Sequence, residues 1–348
     1  MNILVIKQTS LGDVLHASGH IRAIKKAYPG CNITLLTASS SYELFRYNPN
    51  IDEFLLFEKD RVRRLWMRHP LWTTKHILEL IRRLRKTHYD LAFDLQGRAR
   101  SVLFLYAARA QNKFVKGRWL GLKRYHKPEI HAIEEMNGVL RLAGINTEHT
   151  AMEIFTSDSE CQAIDTLLTR INPQSKRVVI VSPFTRWATK NWDADKFASL
   201  AARVAQHAMV IFTSSADKSI EIDQLIASTR SPYIFNAAGT LSLLEFAELV
   251  RRADLVVTGD SFPMHVASAV HTPLIALFGP TDEKRVGPIG RHVTVIRADE
   301  VCRRCYRRNR CTRNCINHVP VAKVFEEARH WLGEQIVPVS IGVRSGRS

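Results

Sequence analysis

Apolar residues open the chain as a short unbroken run, 2–7 (NILVIK), which has the length of a buried strand. After the loop 8–13, Val14, Ala17, Ile21, Ile24 and Tyr28 recur at spacings of three and four, which predicts a helix. Pro29 and Gly30 stop it, and 32–37 (NITLLT) reads as a second strand, so the chain begins as a parallel βαβ unit. Further strands are predicted at 54–57 and 91–94, with a helix across 75–87 between them. Residues 153–172 read as a closing strand and a connecting helix, and the polar run 172–177 (NPQSKR) reads as a linker. A second alternating series follows. Its strands are predicted at 178–182, 208–213, 233–236, 255–258 and 274–278, with helices near 195–205, 219–228, 242–252 and 265–270.

Alternation of this kind predicts an α/β protein built from two doubly wound parallel sheets, whose ligands sit beyond the carboxyl ends of the strands. The expected organisation is a first lobe over 1–155, a connecting helix and linker over 156–176 and a second lobe over 177–320. A C-terminal helix is expected at 321–333, and a disordered tail at 334–348. A length of 348 residues with 45% hydrophobic composition agrees with two ordinary cores. No run approaches the roughly 18–20 apolar residues of a membrane span, and 3–6 is too short for a secretory signal, so a cytoplasmic location is expected.

Charge adds a partner to this picture. The formal net charge is +17. Residues 59–86 hold ten Lys or Arg against two acids, a net of +8, and 98–127 hold nine against none, a net of +9, so the remainder is near neutral. This one-sided field suits a polyanion: a nucleic acid, an anionic membrane surface or an acidic substrate. The plain alternative is a solvated face that aids solubility.

Three loops at predicted strand ends carry candidate chemistry. In 7–13 (KQTSLGD), Gly12 permits a tight turn and Asp13 arrives where a helix begins, as a proton acceptor or merely as an N-cap. A helix N-terminus favours the ionised carboxylate, which suits an acceptor but makes a weaker base. In 256–281 (VVTGDSFPMHVASAVHTPLIALFGPT), helix N–H groups with the Ser261 hydroxyl suit a diphosphate. Asp260 or His265 suits a sugar or ribose, and Gly279 and Thr281 face the same crevice. The alternative makes Asp260 and Ser261 caps and His265 a core histidine. In 182–192 (SPFTRWATKNW), Thr185, Arg186 and Lys190 offer a hydroxyl and two cations to a departing phosphate.

In this order and spacing, the SLGD turn, the 185–190 loop and the D-S-x-x-x-H segment followed by FGPT resemble the ADP-heptose:lipopolysaccharide heptosyltransferases of glycosyltransferase family 9, over about residues 1–325. The resemblance implies a GT-B fold, two Rossmann-like lobes facing across a cleft, and inverting transfer of a heptose from ADP-heptose to a lipopolysaccharide inner-core acceptor. It implies no catalytic metal and no cofactor. Asp13 falls on the family's general base and Lys190 on its phosphate-binding lysine. Thr185, Asp260, Ser261 and His265 fall on donor positions, with Arg186, Gly279 and Thr281 beside them. The segment 94–98 (DLQGR) matches a recurrent acceptor-side stretch, so Gln96 and Arg98 join Ser10 and Gly12 there. Arg63 and Arg64 are expected to meet an anionic core or the inner-membrane surface. The family commonly has glycine where this chain has Phe262, so the ring is expected to stack on the donor, shield it, or mark a different sugar or weakened activity.

Four cysteines cluster as Cys302-x2-Cys305-x5-Cys311-x3-Cys315, a spacing near that of a closed structural zinc site. The alternative is a structured loop with unbound thiols. Two rival functions stay open: a transferase or epimerase for another nucleotide sugar, and a basic nucleic-acid-binding protein with zinc. The absence of a recognition-helix motif speaks against the latter.

Overall fold

Runs of apolar residues buried on both faces build two parallel sheets. The computed structural model describes residues 1–298, 304–309 and 311–333, so the expected tail at 334–348 lies outside the described residues. The first sheet contains β1 (Asn2–Ile6), β2 (Asn32–Ala38), β3 (Glu53–Phe57), β4 (His88–Asp94), β5 (Arg109–Lys116) and β6 (Lys123–Tyr125), in the order β3-β2-β1-β4-β5-β6. The second contains β7 (Val178–Ser182), β8 (Met209–Phe212), β9 (Ile234–Asn236), β10 (Leu255–Gly259), β11 (Leu274–Phe278) and β12 (Val293–Arg297), in the order β12-β11-β10-β7-β8-β9. Every ladder is parallel. Both sheets thus follow the same doubly wound order, which reverses between β1 and β4 and again between β7 and β10. Crevices open at such reversals, beyond the strand carboxyl ends.

Helices cover the faces. The first lobe carries α1 (Leu11–Leu15), α2 (Ala17–Ala27), α3 (Ser39–Tyr42), α4 (Lys59–Leu65), α5 (Pro70–Leu84), α6 (Ala99–Ala107) and α7 (Ala132–Arg141). After α8 (Asp158–Ile171), the second carries α9 (Ala194–Val204), α10 (Ser219–Thr229), α11 (Leu243–Arg252), α12 (Phe262–Val270), α13 (Glu283–Val286) and α14 (Val321–Trp331). The central strands β7, β10 and β11 are buried at every residue. Each fully buried Val, Leu or Ile there stabilises the fold by roughly 1.5–3 kcal/mol. One apolar cluster runs through both lobes, joining Val14, Leu15 and Ile21 to Met264, Val266 and Leu244.

Several elements differ from the sequence reading. The helix expected over 14–28 is two, α1 and α2, broken at His16. The strand expected at about 153 does not form; residues 151–157 are unpaired in any ladder, and Glu153 instead binds Arg22. The polar run 172–177 is a tight turn, closed by Asn172, whose Nδ2 donates to Lys176 O at 2.7 Å and whose Oδ1 accepts from Lys176 N at 3.0 Å. Helix α12 starts at Phe262, three residues earlier than the periodicity suggests, because Pro263, with its fixed φ and missing N–H, suits a first helical turn.

Candidate active site

On the first lobe, the loop after β1 and the loop after β4 meet at the reversal of strand order. Asp94 ends β4 fully buried, and its Oδ1 accepts from Gln96 N (2.8 Å) and Gly97 N (3.0 Å), which curls the DLQGR segment. Gln96 Oε1 then accepts from Thr9 N (3.0 Å) and Gln8 N (3.3 Å), so this segment braces the loop that carries Asp13. Asp13 lies in the first turn of α1, where Oδ2 accepts from Ser10 N (3.1 Å) and Ser10 Oγ (2.8 Å). Beneath it Lys7, 4% exposed, donates to Leu95 O at 3.2 Å.

These groups set each other's ionisation. Burial pushes the Asp13 carboxyl up, but the Lys7 ammonium and the two Ser10 hydrogen bonds outweigh it and hold the carboxyl below its ordinary value. Burial lowers Lys7 to about 8, against the pull of Asp13. Burial likewise raises Asp94 to about 6, despite its backbone hydrogen bonds. Asp13 is therefore an ionised acceptor at neutral pH.

On the second lobe, the loops after β7, β10 and β11 converge in the same way. Lys190 Nζ lies 2.6 Å from Asp260 Oδ2 and 4.3 Å from the centre of the Trp187 ring. Asn191 Oδ1 accepts from Thr185 N at 2.8 Å, which shapes the 185–190 turn, while Arg186 stands exposed. Ser261 is the N-cap position of α12, with its hydroxyl 3.1 Å from Thr258 Oγ1. Gly279 is a close approach: a Cβ there would stand 3.1 Å from Ile316 Cβ and 3.3 Å from Thr189 O. Arg297 on β12 donates to Gly279 O (2.7 Å) and Thr281 O (2.8 Å), fixing the FGPT turn, and the Thr281 hydroxyl is buried with no hydrogen-bond partner among the described residues.

The two half-sites face each other. His265 on α12 reaches across to His16, with Nδ1 3.0 Å from His16 Nε2, and its ring packs on Gly12, where a Cβ would stand 2.2 Å from Cδ2. His131 Nε2 donates to Gly287 O at 3.1 Å, and Glu43 Oε1 accepts from Leu243 N at 2.9 Å; both contacts also cross between lobes. The structure thus brings together the sequence candidates Ser10, Gly12, Asp13 and His265 at one point. Lys190, Asp260 and Ser261 cluster at the start of the helix that carries His265.

The family model described as glycosyltransferase family 9 (heptosyltransferase) matches residues 77–316. The chain belongs to glycosyltransferase family 9. This transferase is 24% identical to the lipopolysaccharide core heptosyltransferase OpsX of Haemophilus influenzae over 298 residues, covering 82% of this chain and 81% of that one. Its fold matches that of a family 9 glycosyl transferase from Veillonella parvula with a TM-score of 0.82 at 20% identity, over 96% of this chain and 98% of the other. It also matches Escherichia coli ADP-heptose lps heptosyltransferase II with a TM-score of 0.76 at 20% identity, over 96% and 99% of the chains. The two-lobed arrangement is the GT-B fold.

Other sequence candidates of the transferase stand differently. Phe262 does not point freely into the cleft: half-buried, it packs on the apolar core with its ring 6.0 Å from that of Phe246 on α11. Arg98 is exposed at the start of α6. Arg63 and Arg64 are exposed on α4, which rises from the carboxyl end of β3, the sheet edge that also carries Asp13. Of the cysteines, Cys302 lies outside the described residues, Cys305 is exposed, Cys311 is half-buried and Cys315 is buried near Gly279. Among the described residues no three His, Cys, Asp or Glu side chains gather as a metal site. The segment instead lies against the second-lobe loops, with Thr189 Oγ1 donating to Arg307 O (2.5 Å) and Tyr306 N to Pro280 O (2.9 Å).

Lys7, His16, His131 and Arg297 were not singled out from the sequence. A lysine that directly continues a buried strand was a signal for the first. The other three are recognisable only once the loops and lobes are assembled.

Proposed function

We propose that this glycosyltransferase moves a heptose from ADP-heptose to a lipopolysaccharide inner-core acceptor, inverting the anomeric centre and using no metal. The observation that carries the reading is the opposition of Asp13, an ionised carboxylate on one lobe, to the Lys190–Asp260 cluster on the other. The names of the relatives supply the sugar and the acceptor class.

In this reading Asp13 accepts the proton of an acceptor hydroxyl as its oxygen attacks the anomeric carbon from the face opposite the nucleotide. The developing cationic sugar resembles that of glycoside hydrolysis. Lys190, Thr185 and the helix start after Ser261 stabilise the leaving ADP, a task for fixed charges and dipoles in a dry cleft. Arg186, Gly279 and Thr281 line the donor side; Ser10, Gly12, Gln96 and Arg98 line the acceptor side. Closure of the lobes keeps water from the donor.

The basic stretch supports an anionic acceptor held at a membrane surface. Among the described residues of 59–86, only Lys59 forms an ion pair, with Asp60 at 3.4 Å. At the α4–α5 junction, Trp66 is 59% exposed, Met67 91% and Leu71 87%, so an apolar tip projects from a cationic surface. That combination suits peripheral attachment to anionic lipid on a cytoplasmic membrane face. No helix among the described residues is long and apolar enough to cross a membrane.

Mass spectrometry of a heptose-deficient core acceptor, incubated with ADP-heptose and with other ADP- and UDP-sugars, tests the reading. A one-heptose gain from ADP-heptose alone supports it. A product from a different sugar, or a rearranged donor with no transfer, refutes it.

A further inference from the structure

We infer that His16 is a positioning residue, which fixes His265 in the tautomer with its hydrogen on Nε2, so that His265 offers an N–H to an oxygen of the bound nucleotide sugar. The inference rests on the reading of the second lobe as the nucleotide-sugar site.

His16 Nε2 and His265 Nδ1 are 3.0 Å apart, and their hydrogen bond allows the proton on either nitrogen. The rest of the His16 ring decides between them. Its Nδ1 is buried with no partner among the described residues. A buried N–H left without an acceptor is the costlier defect, and an under-used lone pair the milder one. His16 therefore keeps its hydrogen on Nε2, leaves Nδ1 bare and donates to Nδ1 of His265. A neutral His265 must then carry its own hydrogen on Nε2. Neutrality of both rings follows from burial, which holds each below the ordinary histidine value, His16 well below it.

Geometry aims the resulting donor. His265 Nε2 has no acceptor among the described protein groups, and it lies against Gly12, whose missing side chain would otherwise stand 2.9 Å from it. The N–H thus faces the turn that carries Asp13, from a helix whose first turn follows Asp260 and Ser261. A donor sugar nucleotide spanning these groups supplies the oxygen that accepts it. The relay couples recognition to closure, because the residue that sets the tautomer sits on the opposite lobe.

Long-range 15N–1H imidazole spectra of the full, ligand-free chain, with His265 assigned by its loss in His265→Gln, read the tautomer directly. The expected spectrum shows the hydrogen on Nε2; a hydrogen on Nδ1 overturns the proposal whatever the enzyme binds. Calorimetry with ADP-heptose adds a second readout. His16→Gln keeps an amide N–H where Nε2 was and should bind within about threefold of the parent, whereas His16→Phe should lose roughly tenfold. Parent-like binding by His16→Phe, or an equal loss in the Gln variant with unchanged melting, overturns the positioning role. If the parent binds no nucleotide sugar, the functional reading falls, and the spectrum still decides the tautomer.

Discussion

Asp13 is kept ionised by its neighbours, chiefly Lys7, rather than by solvent. In the proposed mechanism, the low basicity of a helix-start carboxylate is offset by holding the acceptor hydroxyl in reach. Asp13→Asn is therefore expected to lower kcat by about 10²–10⁴-fold while calorimetric affinity for the donor stays within about twofold. Lys7 makes a separate prediction. Its cation lowers the Asp13 pKa, and the proposed mechanism needs Asp13 ionised, so removing the cation is expected to move the acid limb of the kcat/KM profile to higher pH. For Lys7→Met a rise of about one unit is expected from pH–rate profiles. An unmoved acid limb would separate Lys7 from the chemistry.

Elements differed in how far the sequence revealed them, for a physical reason. Strands β1, β2, β7, β10 and β11 are buried on both faces, so their apolar runs are unmistakable. The three-residue β6 (KRY) is the edge strand and β5 (RAQNKFVK) lies beside it, paired with it over 114–116 only; most of their residues are half-buried or exposed, and their polar residues conceal them. The site divided similarly. Asp13, Lys190 and Asp260 could be nominated from the sequence because each lies in a segment that follows a buried strand. The partnership of His16 with His265 spans 249 residues of sequence and has no local pattern. The α4–α5 junction carries the prediction for this scale. Flotation with anionic liposomes should show at least tenfold weaker binding for the double variant Met67→Asp, Leu71→Asp, because the tip loses its apolar anchor. Charge reversal of Arg63, Arg64 and Arg68 should weaken it by about 1 kcal/mol per residue. Unchanged flotation in both would remove the membrane from the account.

At the scale of the molecule, two copies of one sheet order are turned so that their reversal points face each other, and the proposed chemistry draws on both. Gly12 lets the lobes close, since a Cβ there would stand 2.2 Å from the His265 ring. Gly12→Ala should hold the cleft partly open, visible as a larger radius of gyration in solution scattering, with turnover reduced more than tenfold and each lobe still folded. An unchanged radius and turnover would mean that the lobes do not need this contact. The central claim is that base and leaving-group cluster act on one transfer from opposite lobes. The most direct measurement follows the mass of a heptose-deficient core acceptor with ADP-heptose in the presence of a chelator, comparing the parent with Asp13→Asn. The account predicts a one-heptose gain for the parent and almost none for the variant, although the variant still binds the donor. Equal transfer by both, or a parent that transfers only when metal is restored, would contradict it.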